Sequence, residues 1–118
     1  MAGLTRHERI RRRAEFQRIY AQGLKVSGRL ATLFILPNSL SVARLGIAAT
    51  RKLGSAVERN RAKRLVRETF RRNKPAPGVD VVVVPRRELL DSHLGIFEGE
   101  YRQSLERRFG RRGRPSGR

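Results

Sequence analysis

Residues 50–74 read TRKLGSAVERNRAKRLVRETFRRNK and hold ten Lys or Arg against two acids, Glu58 and Glu68. Ser55 with Glu58 three residues later fits a capping box, in which each side chain satisfies a backbone N–H left unpaired by the first helical turn. Gly54 lets the chain turn just before the cap. At 3.6 residues per turn, Ala62, Val66, Thr69 and Phe70 gather on one side with Leu65 at the edge, and Asn60, Lys63, Arg64, Arg67 and Arg71 gather on the other. Like charges at helical spacing repel. A solvated surface helix carries mixed signs, whereas this face has almost no acid, so a polyanion is the partner that would relieve it.

The flanks of this helix decide the fold. Upstream, residues 30–36 (LATLFIL) predict a strand, stopped at Pro37–Ser39, and residues 41–50 predict a second, with a short strand at about 25–27 before them. Leu30, Thr32, Phe34 and Leu36 alternate with Ala31, Leu33 and Ile35, so both faces are apolar and the sheet is expected to be covered on each side. Gly46, Ala48 and Ala49 are small and leave room for a helix or a ligand. Downstream, after the loop 73–78, Val79–Val84 (VDVVVV) predicts a central strand buried on both faces. A strand, a helix and a buried strand imply a parallel βαβ unit.

Two more helices complete the chain. One is predicted from about Arg12 to Gln22, with Gly23 as its C′ residue and a further capping box at Thr5 and Glu8 that leaves its start open. Phe16, Ile19 and Tyr20 share a face of it. The aromatic pair either packs on the sheet or, beside Arg11, Arg12, Arg13 and Arg18, forms a stacking platform for unpaired bases. The last helix is predicted over 88–109, with Leu90, Leu94, Phe97, Tyr101, Leu105 and Phe109 on one face and interruptions at Gly95 and Gly99. The fold class is therefore α+β: a single small domain in α-β-β-β-α-β-α order with a mixed four-stranded sheet. We assign residues 1–109 to the domain and 110–118 (GRRGRPSGR) to a basic, disordered tail.

Charge narrows the function. Twenty-eight Lys plus Arg against ten Asp plus Glu give +18 over 118 residues, far more than solubility requires. Residues 26–50 carry only +2 and are the apolar scaffold, while residues 51–74 carry +8. Nucleic acid is the expected partner. No stretch offers a membrane-spanning run, the N-terminus lacks a signal-peptide core, and there is no cysteine, which fits a reducing, cytoplasmic setting. His7 and His93 stand without a neighbouring constellation, no acids show metal-site spacing, and no Gly-rich phosphate loop is present. An autonomous catalytic site is not expected, which argues against a protein-only nuclease. A ribosomal or other structural RNA-binding protein is the alternative to a processing role.

Arg59-Asn60-Arg61, followed by Lys63-Arg64 and Arg67 and preceded by Arg51-Lys52-Leu53-Gly54 and Ala56-Val57, resembles the signature of the bacterial ribonuclease P protein subunit. The order of elements is similar from about Leu4 to Phe109. The resemblance implies a subunit of an endoribonuclease in which a catalytic RNA, using Mg²⁺, removes the 5′ leader of precursor tRNA. It implies no obligate protein partner. It also implies that Arg51, Lys52, Arg59, Asn60, Arg61, Lys63, Arg64 and Arg67 contact the catalytic RNA, and that Phe16, Tyr20 and Phe34 line a cleft for the leader. The family often has Phe where this chain has Tyr20 and commonly Tyr where it has Phe34; both exchanges keep a stacking face. βαβ crossovers are nearly always right-handed, but the family is among the left-handed exceptions, and the resemblance implies that hand here.

Overall fold

The computed structural model describes residues 4–109; the predicted tail at 110–118 lies outside them. A four-stranded sheet is built from β1 (Leu24–Ser27), β2 (Ala31–Pro37), β3 (Arg44–Ile47) and β4 (Val79–Pro85), in the order β1-β2-β4-β3. β1 and β4 both run antiparallel to β2. β3 runs parallel to β4, and the basic helix α2 (Ala56–Arg72) connects them, as the sequence predicts. α1 (Arg13–Gln22) precedes the sheet and α3 (Leu94–Phe109) follows it. Among the described residues no helix is long and apolar enough to cross a membrane.

The period of two in β2 and β4 divides the apolar side chains between two faces. Leu33, Ile35, Val81 and Val83 face the main core with Val66 and Phe70 of α2 and Phe97, Tyr101 and Leu105 of α3. Val82 faces the other way with Ile19 of α1 and Ile10, and Phe16, Phe34, Leu36 and Val84 surround them only partly buried. One helix covers this second face where two cover the first, so part of it stays open.

Three local expectations change. The strand predicted over 41–50 shrinks to Arg44–Ile47. Its start is taken by a turn, in which Asn38 Oδ1 accepts from Leu40 N at 2.8 Å and Ser39 adopts φ 62°. At its end the next positions would lie against Pro85, which has no N–H to offer. Gly23 is not a left-handed C′ residue but extended, at φ −77° and ψ 159°, and leads directly into β1. It is needed for closeness, since a Cβ there would lie 2.6 Å from Ile19 O. The last helix does not run from 88: Arg87–Asp91 forms a 3₁₀ turn that buries Leu89, and α3 begins only at Leu94. Arg87 Nη1 ties that turn to Leu53 O at 2.7 Å. Ser92 is extended at the break, while Gly95 and Gly99 sit inside α3 without interrupting it.

α3 is also pinned to the β1–β2 hairpin. The Glu100 carboxylate accepts from the backbone N–H groups of Arg29, Leu30 and Ala31 at 2.9–3.1 Å. This satisfies three amides that the tight turn would otherwise leave unpaired.

Candidate RNA interface

α2 begins as its sequence dictates. Ser55 Oγ accepts from Glu58 N at 3.1 Å, and Glu58 Oε1 accepts from Ser55 N at 2.9 Å. The Ser55 N–H holds the Glu58 carboxyl below its usual range. Ala62, Val66, Thr69 and Phe70 are buried as predicted, and Thr69 Oγ1 donates to Leu65 O at 2.9 Å rather than facing the core unpaired.

The opposite face divides by role. Asn60, Arg61 and Arg64 are exposed, as are Arg51 and Lys52 in the turn before the helix. Among the described residues no ion pair engages Arg51, Lys52, Arg61, Lys63, Arg64 or Arg67. Arg59 turns back, donating from Nη1 to Gly54 O at 2.8 Å, and so braces the loop that launches the helix. Arg71 is paired with Glu68 one turn earlier and is not a free cation.

The three predicted aromatics come together. Phe16 and Tyr20 have ring centroids 6.2 Å apart, and Tyr20 meets Phe34 edge-on at 5.0 Å. They form a row along the open face of the sheet. Tyr20 is 39% exposed, while Ile19 between them is fully buried against Val82 and Ile10. Burial of the ring pushes the Tyr20 phenol up from its ordinary value. Phe16 rests on β3 because residue 46 is glycine: a Cβ there would lie 2.8 Å from Phe16 Cζ.

The row and the basic helix adjoin at Phe16. A cleft of about 190 Å³ is lined by Phe16 on one side, by Lys63 and Arg67 on another, and by Arg9 and Arg11 of the segment before α1. That segment is an extra edge to the sheet: Arg9 bridges Leu45 in parallel, and Ile10 N donates to Leu45 O at 2.9 Å. Arg9 Nε is buried without a hydrogen-bond partner. Arg9 had no signal of its own in a sequence rich in arginine; only the bridge to Leu45 brings it to the cleft.

A second group was invisible in the sequence. Asp80, the one buried carboxylate among the described residues, is fully enclosed. It accepts from Arg44 Nε at 2.8 Å and Nη2 at 2.7 Å, and from Asn38 Nδ2 at 2.7 Å. Arg44 Nη1 reaches Glu15 of α1 at 3.0 Å, and Arg18 of α1 lies 3.6 Å from Asp80. An acid inside a valine run does signal a needed partner, but partners 29 and 36 positions apart cannot be picked from spacing.

Comparison with known proteins agrees with this architecture. The ribonuclease P family model matches residues 4–108. The ribonuclease P protein component of Thermotoga maritima is 44% identical over 103 residues, 86% of this chain and 88% of that protein. That of Caldanaerobacter subterraneus is 36% identical over 101 residues, 84% of this chain and 87% of that protein. The solved structure of the RNase P protein from Thermotoga maritima superimposes with a TM-score of 0.76 at 35% identity, covering 85% of this chain and 96% of that one. The Staphylococcus aureus RNase P protein superimposes at 0.74 and 32%, covering 84% and 93%.

Proposed function

The chain belongs to the ribonuclease P protein family, and from that membership and the geometry of its surface we propose that it is the protein subunit of an endoribonuclease whose catalytic centre is an RNA. Its relatives are by name ribonuclease P protein components. In this reading Arg51, Lys52, Arg59, Asn60, Arg61, Lys63, Arg64 and Arg67 bind the catalytic RNA, with Arg59 also bracing the loop. Phe16, Tyr20 and Phe34 take the unpaired 5′ leader of precursor tRNA. We place the reaction in the cytoplasm.

One observation carries the proposal: Phe16, at one end of the aromatic row, shares the walls of one cleft with Lys63 and Arg67 of α2, which make no ion pair among the described residues. Cations without acid partners suit a phosphate backbone, whose neutralisation releases counterions. Aromatic faces beside cations suit unpaired bases. A structured RNA on α2 and a single strand on the row can therefore be held side by side.

The family's chemistry also involves Mg²⁺. Among the described residues no three His, Asp or Glu come together as ligands, and the enclosed carboxylate Asp80 is already taken by Arg44 and Asn38. Magnesium is commonly bound through one or two carboxylates with several retained waters, and Asp80, with both oxygens occupied, is not open to it. In the proposal the ion is held by the RNA, and the protein's part is to bind and orient.

The test is to incubate purified protein with precursor tRNA and Mg²⁺, with and without the catalytic RNA. The proposal expects 5′ cleavage only with that RNA, enhanced by the protein at low Mg²⁺. Cleavage by protein alone, or RNA-dependent cleavage that the protein does not enhance, would contradict it.

A further inference from the structure

We propose that the ion-pair chain Glu15–Arg44–Asp80 is a positioning device that fixes α1, and with it the spacing of Phe16 and Tyr20 from Phe34. The inference rests on the leader reading of those aromatics. It starts from how lightly α1 is otherwise held. Its N-cap, Arg12, makes no side-chain cap, and Ile19 is its one buried residue. One fully buried anchor, with Phe16 packed beside it only partly buried, still lets a helix roll, and any roll about Ile19 swings Phe16 and Tyr20 together.

Arg44 removes that freedom. Its planar fork is locked on Asp80 by two hydrogen bonds at 2.8 and 2.7 Å, and Asp80 is itself fixed inside β4 and held by Asn38 at 2.7 Å. A guanidinium gripped on one edge has no choice of direction for its remaining nitrogen. Nη1 therefore points to one place, and Glu15 occupies it at 3.0 Å. Glu15 immediately precedes Phe16. Arg18, one turn on from Glu15, adds a looser contact to Asp80 at 3.6 Å. The network thus refers the aromatic row to the rigid centre of the sheet.

Glu15 is the informative residue because its side chain is 31% exposed and leaves the Arg44–Asp80 pair intact when removed. Plain electrostatics and positioning predict opposite signs for its loss. Deleting an acid from a cationic protein should tighten binding to every RNA. Loosening α1 should weaken binding only where a leader is present.

The experiment uses holoenzyme assembled with the catalytic RNA. Affinities are measured for precursor tRNA with a leader of several nucleotides and for mature tRNA, with wild type, Glu15→Ala, Glu15→Gln and Tyr20→Ala, alongside the melting temperature of each protein. We expect Glu15→Ala to lower the precursor-to-mature affinity ratio roughly threefold to tenfold, a usual size for coupling through a remote residue. Glu15→Gln, which keeps an acceptor for Arg44, should restore most of it. Should Glu15→Ala melt below the assay temperature, Glu15→Met keeps the helix-forming stem and permits the same comparison. A ratio unchanged or raised in the folded variant, while Tyr20→Ala lowers it, overturns the positioning role alone. A ratio that Tyr20→Ala also leaves unchanged overturns both this role and the leader reading.

Discussion

Asp80 and Gly46 show how single residues build the open face of the sheet. A carboxylate inside a valine strand is tolerated only because Arg44 and Asn38 satisfy both of its oxygens. Removing one partner of such a pair leaves a buried charge behind, a loss of about 3–5 kcal/mol. Asp80→Ala should lie near the lower figure, because Glu15 remains to pair with Arg44. Denaturant unfolding checks this, and a loss of under about 1 kcal/mol would mean the pair contributes little beyond its solvated alternative. Gly46 acts by absence: the missing side chain is the seat of Phe16. The sequence showed that residue 46 was small and that Phe16 lay on a helix, but not that one was the other's floor. Such a match depends on tertiary register, to which local spacing is blind.

α2 is the element most legible in sequence, because its start signal and its apolar stripe are both local. Ser55→Ala should cost roughly 0.5–2 kcal/mol of stability through loss of the cap, read by thermal or denaturant unfolding; an unchanged midpoint would contradict the capping role. The Glu58 carboxyl is held below its usual value by the Ser55 N–H. Its contribution is therefore fully present above the unfolded-state value and is lost as pH falls through the lower folded-state one, so acid should fray the first turn before the rest of the helix. The outward face predicts a second effect. Arg61 and Arg64 are exposed and make no ion pair among the described residues. Changing both to Ala should weaken binding to the catalytic RNA and reduce the slope of log affinity against log salt by about one for each phosphate no longer neutralised. An unchanged slope in the folded double variant would remove α2 from the interface. α3 was less legible than α2. Its apolar stripe was visible, but a stripe cannot distinguish one long helix from a 3₁₀ turn followed by a shorter one. Here the burial of Leu89 and the hydrogen bond from Arg87 to Leu53 decided the break.

At the scale of the molecule, a net charge of +18 is divided by a sheet that is packed on one face and half-open on the other. The β-branched run of β4 and the mixed faces of β2 made that layering readable, and the βαβ order followed from it. What joined the two candidate surfaces was not readable: Arg9 reaches the cleft by a bridge to Leu45, and Glu15 meets Arg44 across 29 positions. In the proposed function the molecule holds two RNAs on adjoining surfaces, which separate variants distinguish. The most direct measurement compares holoenzymes made with Tyr20→Ala and with Arg61→Ala/Arg64→Ala, reading assembly with the catalytic RNA and, once assembled, affinity for precursor and mature tRNA. Base–aromatic stacking contributes about 1–3 kcal/mol per base. Tyr20→Ala should therefore weaken precursor tRNA by roughly fivefold or more, with mature tRNA and assembly unaffected, while the double arginine variant impairs assembly and spares leader discrimination. Equal weakening of both tRNAs by Tyr20→Ala, with the protein still folded, would contradict the account.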